Sequence, residues 1–149
     1  MSRTNLLETR DRYLIFQPVT TRWKDNDQFG HVNNIVYNAW MDTAVTAYFM
    51  KYWELSQAQQ LAPVAAETKF TFRQSISHPA EVETGFRVEH IGNSSVRCGV
   101  GVFEAGSHQA SAWGHMVHVW IDPRSGQSAS IPGVVRQGLE LAVLDLSSG

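Results

Sequence analysis

The sequence predicts an α+β protein in which one antiparallel sheet is built around one long helix, and three observations carry that reading. From about Asn33 to Glu54 there is no proline or glycine, and Ala39, Met41, Ala44 and Ala47 sustain helix propensity through the stretch. Four later segments, separated by turn residues, read as strands, three of them alternating apolar and polar side chains. One extended segment precedes the helix and a short helical pattern follows the strands, giving the order strand, long helix, four strands, short helix. The 149 residues, 43% hydrophobic and 17% charged, suit a single domain spanning residues 1–149. A chain of that size buries roughly 68–70% of its unfolded surface.

Each element has its own signal. Residues 1–12 are polar and expected to fray at the start. Tyr13 to Trp23 reads as a strand through Phe16, Val19, Thr20 and Thr21, with Pro18 confining it to an edge. Asn33 is a helix N-cap, because its side-chain oxygen can accept from free N–H groups of the first turn. The helix that follows is roughly 30 Å long at about 1.5 Å per residue. Val36, Trp40, Ala44 and Ala47 lie on one side of it and Tyr37, Met41, Tyr48 and Tyr52 round another, with Asn38, Asp42 and Thr46 as a polar line, so most of it is expected to be buried.

After a Gln-rich connection, Ser56 to Pro63, the strands run from about Ala66 to Ser77, Glu83 to His90, Ser95 to Glu104 and Gln109 to Ile121. In the third of these Val96, Cys98, Val100 and Val102 share one face. Gly99 and Gly101 share the other, either to admit a close neighbour or to mark a bulge. The last run, QASAWGHMVHVWI, is apolar on both faces and reads as an interior strand. Pro132 opens a short helix carrying Val135, Leu139, Ala142 and Leu146. One sheet with one helix on a face leaves apolar surface and an edge strand over, which predicts a homo-oligomer.

Composition narrows the function. A net charge of −2 and a pI near 6.3 give no basic footprint for nucleic acid, and there is no Lys/Arg run to draw the chain to an anionic membrane. The expected partner is a small molecule or a protein. Cys98 is the single cysteine, so neither an internal disulfide nor a cysteine metal site is available, and a buried apolar role suits it. The N-terminus lacks an apolar signal core and no uninterrupted apolar stretch approaches the length of a membrane span, so a cytoplasmic location is expected.

The chemistry concentrates at the entrance to the long helix. Asp25 and Asp27 stand just before a helix N-terminus, where unsatisfied N–H groups and the macrodipole favour negative charge. A carboxylate there suits a nucleophile or general base, and the N–H groups suit a developing oxyanion. On this argument alone, capping the helix ranks ahead of catalysis for both aspartates.

The segment R-W-x-D-x-D-x-x-G-H-V-N-N-x-x-Y, Arg22 to Tyr37, resembles the signature of the hotdog-fold acyl-CoA thioesterases related to 4-hydroxybenzoyl-CoA thioesterase. The element order is similar as well. The resemblance implies a hotdog fold, a five-stranded antiparallel sheet wrapped around one central helix, with hydrolysis of an acyl-CoA or acyl carrier protein thioester. It implies no metal and no cofactor. The homo-oligomer expected from the uncovered sheet is a homodimer or homotetramer. Asp27 matches the family's catalytic carboxylate, and the backbone of Asn34 its oxyanion donor. Asp25 then holds the loop. His31 is either an orienting group for substrate or water, or a histidine that fixes the turn.

Other candidates rank lower. Asp42 sits on the polar line and is expected to be solvated or at an interface. His115 and His118 are three apart in a strand and point to opposite faces, which rules against a shared metal. Arg73, Arg87, Arg97 and Arg124 are possible contacts for phosphates but are scattered, and Trp23, Trp40 and Trp53 are core residues before they are walls of an acyl slot. A hydratase is disfavoured because D-N-D-Q-F-G-H lacks the Asn-Pro and the spacing of a D-x-N-P-x-H loop. The alternatives kept are a protein that binds acyl thioesters or aromatic ligands without turnover, and an oligomeric interaction module.

Overall fold

The structure, a computed structural model, describes residues 8–144 and 146. Strand β1 (Ile15–Val19) leads through a short 3-10 turn at Trp23–Asp25 into helix α1 (Asn34–Trp53). Strands β2 (Ala62–Phe72), β3 (Val82–Ile91), β4 (Ser95–Glu104) and β5 (Ala112–Ile121) follow, and helix α2 (Gly133–Glu140) comes last. The strands form one antiparallel sheet in the order β1-β3-β4-β5-β2, so β1 and β2 are the edges.

The inner face of the sheet packs on α1. Met41, Val45, Tyr48 and Phe49 of the helix meet Val88, Val96, Cys98, Val100, Met116 and Trp120 of the strands, and Val135 and Leu139 of α2 close one end. A second cluster at the start of α1 joins Val32, Tyr37 and Trp40 to Ile76, Val82, Val102 and Ala112. Burial removes Met41, Val45, Cys98 and Trp120 wholly from water, a driving force of roughly 25 cal/mol per Å² of apolar area.

Several boundaries differ from expectation, each for a tertiary reason. β1 stops at Val19, opposite Val82, because the partner strand β3 begins there. β2 starts earlier, at Ala62, since β5 extends to Ile121 and offers it a partner; Pro63 is tolerated because β2 is an edge. It also ends earlier, at Phe72, because the N–H groups of Arg73 and Gln74 both turn to the carbonyl of Ser111. β5 begins at Ala112 rather than Gln109: Gln109 makes an isolated bridge to Thr9, and Ala110 donates to the Glu8 carbonyl.

Residues 8–12 do not fray. Glu8 receives the buried Arg87 guanidinium and the Arg12 side chain, which ties this segment to the outer face of the sheet; the expectation for residues 1–7 lies outside the described residues. Gly101 lies under the Tyr13 ring, where a Cβ would come within 2.8 Å of Cζ. The glycine face therefore admits the N-terminal segment and not the long helix. The register shifts of the sheet lie in other strands, between Val88 and His90 of β3 and between Ala65 and Glu67 of β2.

Less of α1 is buried than its composition predicts. Tyr37, Trp40, Met41, Ala44, Val45, Tyr48 and Phe49 make one buried stripe. Asn38, Ala39, Asp42, Thr43, Thr46 and Ala47 stay exposed, because a single sheet covers one side of a helix.

Candidate active site

The loop Arg22–Asn33 is held by backbone bonds at both ends. Asp27 N–H donates to the His31 carbonyl (2.8 Å), Gly30 N–H to the Asp27 carbonyl (3.0 Å), and Asn33 N–H to the Asp25 carbonyl (2.9 Å). Gly30 takes φ 81°, the left-handed conformation that a residue without Cβ adopts freely. The loop is anchored to the strand-following segment by Val32 N–H to the Ile76 carbonyl (2.7 Å) and Ser77 Oγ to the Gly30 carbonyl (2.7 Å).

The two aspartates occupy different environments. Asp25 is 2% exposed; its Oδ2 accepts from the Arg22 backbone N–H (2.8 Å) and its Oδ1 from the Arg22 guanidinium (2.9 and 3.1 Å). All its acceptor capacity serves the loop. Asp27 is half-buried, and its Oδ1 accepts from Phe29 N–H (2.8 Å), an Asx turn that orients the carboxylate. Among the described residues no donor engages Oδ2.

The helix start leaves one donor over. Asn33 Oδ1 takes the N–H of Ile35 (3.0 Å), as expected of the N-cap, and the Asn33 carbonyl takes that of Val36 (2.9 Å). Among the described residues the N–H of Asn34 has no acceptor, and it stands at the positive end of a helix of 20 residues. Asp27, His31 and Asn34 line one cavity of about 390 Å³, with Phe29, Val32, Tyr37, Phe72, Arg73, Gln74 and Ser75. The His31 ring is exposed and forms no hydrogen bond among the described residues, so the turn is fixed by the His31 carbonyl and not by its imidazole.

The sequence could not show that the end of β2 supplies the far wall. Phe72, Arg73 and Gln74 are nearly forty residues beyond Asn34 and arrive because β2 pairs with β5. Arg73 is held by Nε to the Ala110 carbonyl (2.8 Å) and is the one of the four arginines weighed that lines this cavity. Arg87 and Arg97 are instead engaged by Glu8 and Glu89, and Arg124 lies in the turn after β5. Of the tryptophans, Trp40 is in the core, Trp53 is half-buried with Nε1 on the Leu61 carbonyl (3.3 Å), and Trp23 is 79% exposed, contrary to the core expectation.

The histidines of β5 do face opposite ways. His115 meets Arg97 Nη2 through Nδ1 (3.0 Å) and Glu67 through Nε2 (2.6 Å) on the outer side, while His118 stands edge-on to Phe49 on the inner side. No group of His, Cys, Asp or Glu among the described residues is arranged to hold a metal ion. Cys98 is fully buried, and burial pushes its thiol above the usual range.

A long helix laid on the concave side of one antiparallel sheet, with a polar loop delivering its N-terminus into a cavity, is the hotdog architecture. Within that class the chain belongs to the thioesterase-like superfamily, whose family model matches residues 21–139. Its structure is similar to that of the PA5185 protein of Pseudomonas aeruginosa, 36% identical, with 92% of this chain and 96% of that one covered and a TM-score of 0.86. It is also similar to a thioesterase from Thermus thermophilus complexed with coenzyme A and zinc, 28% identical over 89% of this chain and 96% of that one, TM-score 0.73. A 1,4-dihydroxy-2-naphthoyl-CoA thioesterase from Synechocystis shares the fold at 15% identity, with 83% of this chain and 93% of that one covered and a TM-score of 0.74. Among curated relatives, the Bacillus subtilis protein YsmA is 24% identical over 89 residues, and the match spans 60% of either chain. No helix among the described residues is long and apolar enough to cross a membrane.

Proposed function

We propose that this chain is an acyl-CoA thioesterase, a single domain over residues 1–149 that works as a cytoplasmic homodimer or homotetramer. The observation that carries the reading is the pairing, in one cavity, of the Asp27 carboxylate with the unused N–H of Asn34 at the start of α1. A thioester whose carbonyl oxygen points at that N–H presents its carbon to Asp27. With Oδ1 held by Phe29, Oδ2 is the reacting oxygen. It acts either as a general base that takes a proton from water as the water oxygen adds to the carbonyl carbon, or as the nucleophile itself, forming an acyl-aspartyl anhydride that water then opens. In both routes negative charge collects on the carbonyl oxygen, where the Asn34 N–H and the helix terminus stabilise it. In the general-base route collapse of the adduct breaks the carbon–sulfur bond and releases the acid, and the proton held by Asp27 passes to the departing thiolate; in the nucleophilic route that bond breaks as the anhydride forms, the thiolate takes a proton from solvent, and hydrolysis of the anhydride then releases the acid and restores the Asp27 carboxylate.

His31 lines the same cavity and orients the substrate or the attacking water. Arg73 supplies a positive charge at the rim. The family membership supports thioester chemistry, and the coenzyme A bound to the Thermus thioesterase supports a CoA thioester over other carriers. A second copy is supported by the exposed edge of β2 and the exposed side of α1.

The experiment is free-thiol release from short, medium, long and aromatic acyl-CoA thioesters, with Asp27→Asn run alongside. The expected result is turnover of at least one thioester, lowered by about 10² to 10⁴ in the variant, the range for losing a general base. Full turnover by Asp27→Asn would overturn the assignment and turn attention to Asp42. Ligands bound but not hydrolysed would favour a binding protein.

A further inference from the structure

The loop that carries Asp27 has two arms, Arg22 to Asp27 leading in and Gly30 to Asn33 returning to α1, joined by the bridge between Asn26 and Val32. Consecutive residues after β2, Ile76, Ser77 and His78, fasten both arms to the rest of the protein. The returning arm is tied through the Val32 N–H on the Ile76 carbonyl and through the Ser77 hydroxyl on the Gly30 carbonyl. The leading arm relies on a side chain: Asn26 Oδ1 accepts from the His78 backbone N–H (3.0 Å). Among the described residues no other hydrogen bond joins residues 22–27 to anything outside the loop.

The support at the other end of that bond is rigid. Thr21 Oγ1 gives its proton to the Ala80 carbonyl (2.9 Å), so toward the His78 ring (2.9 Å) it can only accept, which places the ring proton on Nδ1 and holds the imidazole. Thr21 is buried, and Ile76 is wholly buried in the cluster at the start of α1. The segment that receives Asn26 is thus anchored on both sides. The Asx turn at Asp27 does a different job, because the Phe29 N–H orients the carboxylate only relative to its own backbone. Where that backbone lies with respect to the helix start depends on the adjacent residue, Asn26, and its bond to His78.

We propose that Asn26 is a positioning residue, whose side-chain bond to the His78 N–H sets the placement of the Asp27 carboxylate against the Asn34 N–H. Its effect on rate rests on the reading of Asp27 as the reacting group, whereas its effect on geometry does not.

The test compares Asn26→Ala with the parent, as full chains, by thiol release and by amide NMR. A misplacement of about 1 Å at a reacting group can cost about 10² in rate, so kcat is expected to fall about ten- to a hundredfold with KM within about twofold. Ser56→Ala removes a bond of the same kind, to the Ala58 N–H beyond the far end of α1, and as the control for lost stability should leave kcat unchanged. In the parent, the amide of Phe29, bonded to Asp27, and the amide of Asn34, lining the same cavity, should both shift at one midpoint as that carboxylate ionises. The shared midpoint separates Asp27 from Asp25, His31 and Arg73 nearby. In Asn26→Ala the Phe29 step is expected to persist and the Asn34 step to change in size by about a third or more, because the field of a charge depends on distance. If Asn26→Ala does not fold, Asn26→Leu keeps the volume without the acceptor and takes its place. A fall in kcat no larger than in Ser56→Ala, or an Asn34 step equal in parent and variant, would overturn the proposal. Should the parent hydrolyse no thioester, the hydrolase reading alone fails and the Asn34 step decides.

Discussion

Replacing Asp25 by asparagine separates the two aspartates of the loop. The side chain is 2% exposed and takes three hydrogen bonds from Arg22, one from its backbone N–H and two from its guanidinium. An amide keeps one acceptor oxygen and puts an NH₂ group where the other was, so at least one Arg22 donor meets a donor. Losing the buried backbone contact to a charged acceptor costs about 1.5–3 kcal/mol. The guanidinium part counts for less, because the Arg22 side chain is 59% exposed and such pairs contribute about 0–1 kcal/mol. The sum is about 1.5–4 kcal/mol, which in a domain of this length lowers Tm by roughly 3–16 °C. Because Asn33 N–H donates to the Asp25 carbonyl, the loosened loop also moves the helix start, and turnover should fall modestly. The assay is thermal unfolding by circular dichroism with thiol release measured on the same samples. A Tm within about 1 °C of the parent would refute the structural role, and turnover abolished at unchanged Tm would make Asp25 the chemical carboxylate.

Two further perturbations test the fold. Gly114→Ala places a Cβ 2.1 Å from the Lys69 backbone carbonyl; since backbone must shift, a loss of about 3 kcal/mol is expected in urea unfolding, and a loss under about 1 kcal/mol would contradict the close packing of β2 on β5. His118 should make stability depend on pH, because burial holds its ring below the ordinary histidine range, with Asp42 pulling weakly the other way. The unfolded chain takes up a proton near pH 6.5 that the folded chain refuses, so this contribution is fully present above about pH 6.5 and is lost below it, by up to roughly 1.4 kcal/mol per pH unit. Urea midpoints at several pH values should show that slope in the parent and lack it in His118→Phe, and an identical slope in both would dispose of the idea.

The sequence by itself determined the element order, the N-cap at Asn33, the apolar inner face of β4 and the loop that carries Asp25 and Asp27. These are local: a cap, a period-2 alternation and a turn glycine act within a few residues, so they can be read without knowing the partner. What the tertiary structure decided is everything that depends on who lies opposite. β1 ends where β3 begins, β2 starts where β5 still offers a partner, and on the glycine face of β4 Gly101 was covered by the ring of Tyr13. One sheet covers one side of α1, so of the apolar residues that the sequence assigned to the core Ala47 is left exposed and Val36 and Tyr52 half-buried. The cavity at Asp27 has the same character: its near wall is the loop, legible in sixteen consecutive residues, while its far wall comes from the end of β2 through a pairing with β5 that no local pattern encodes.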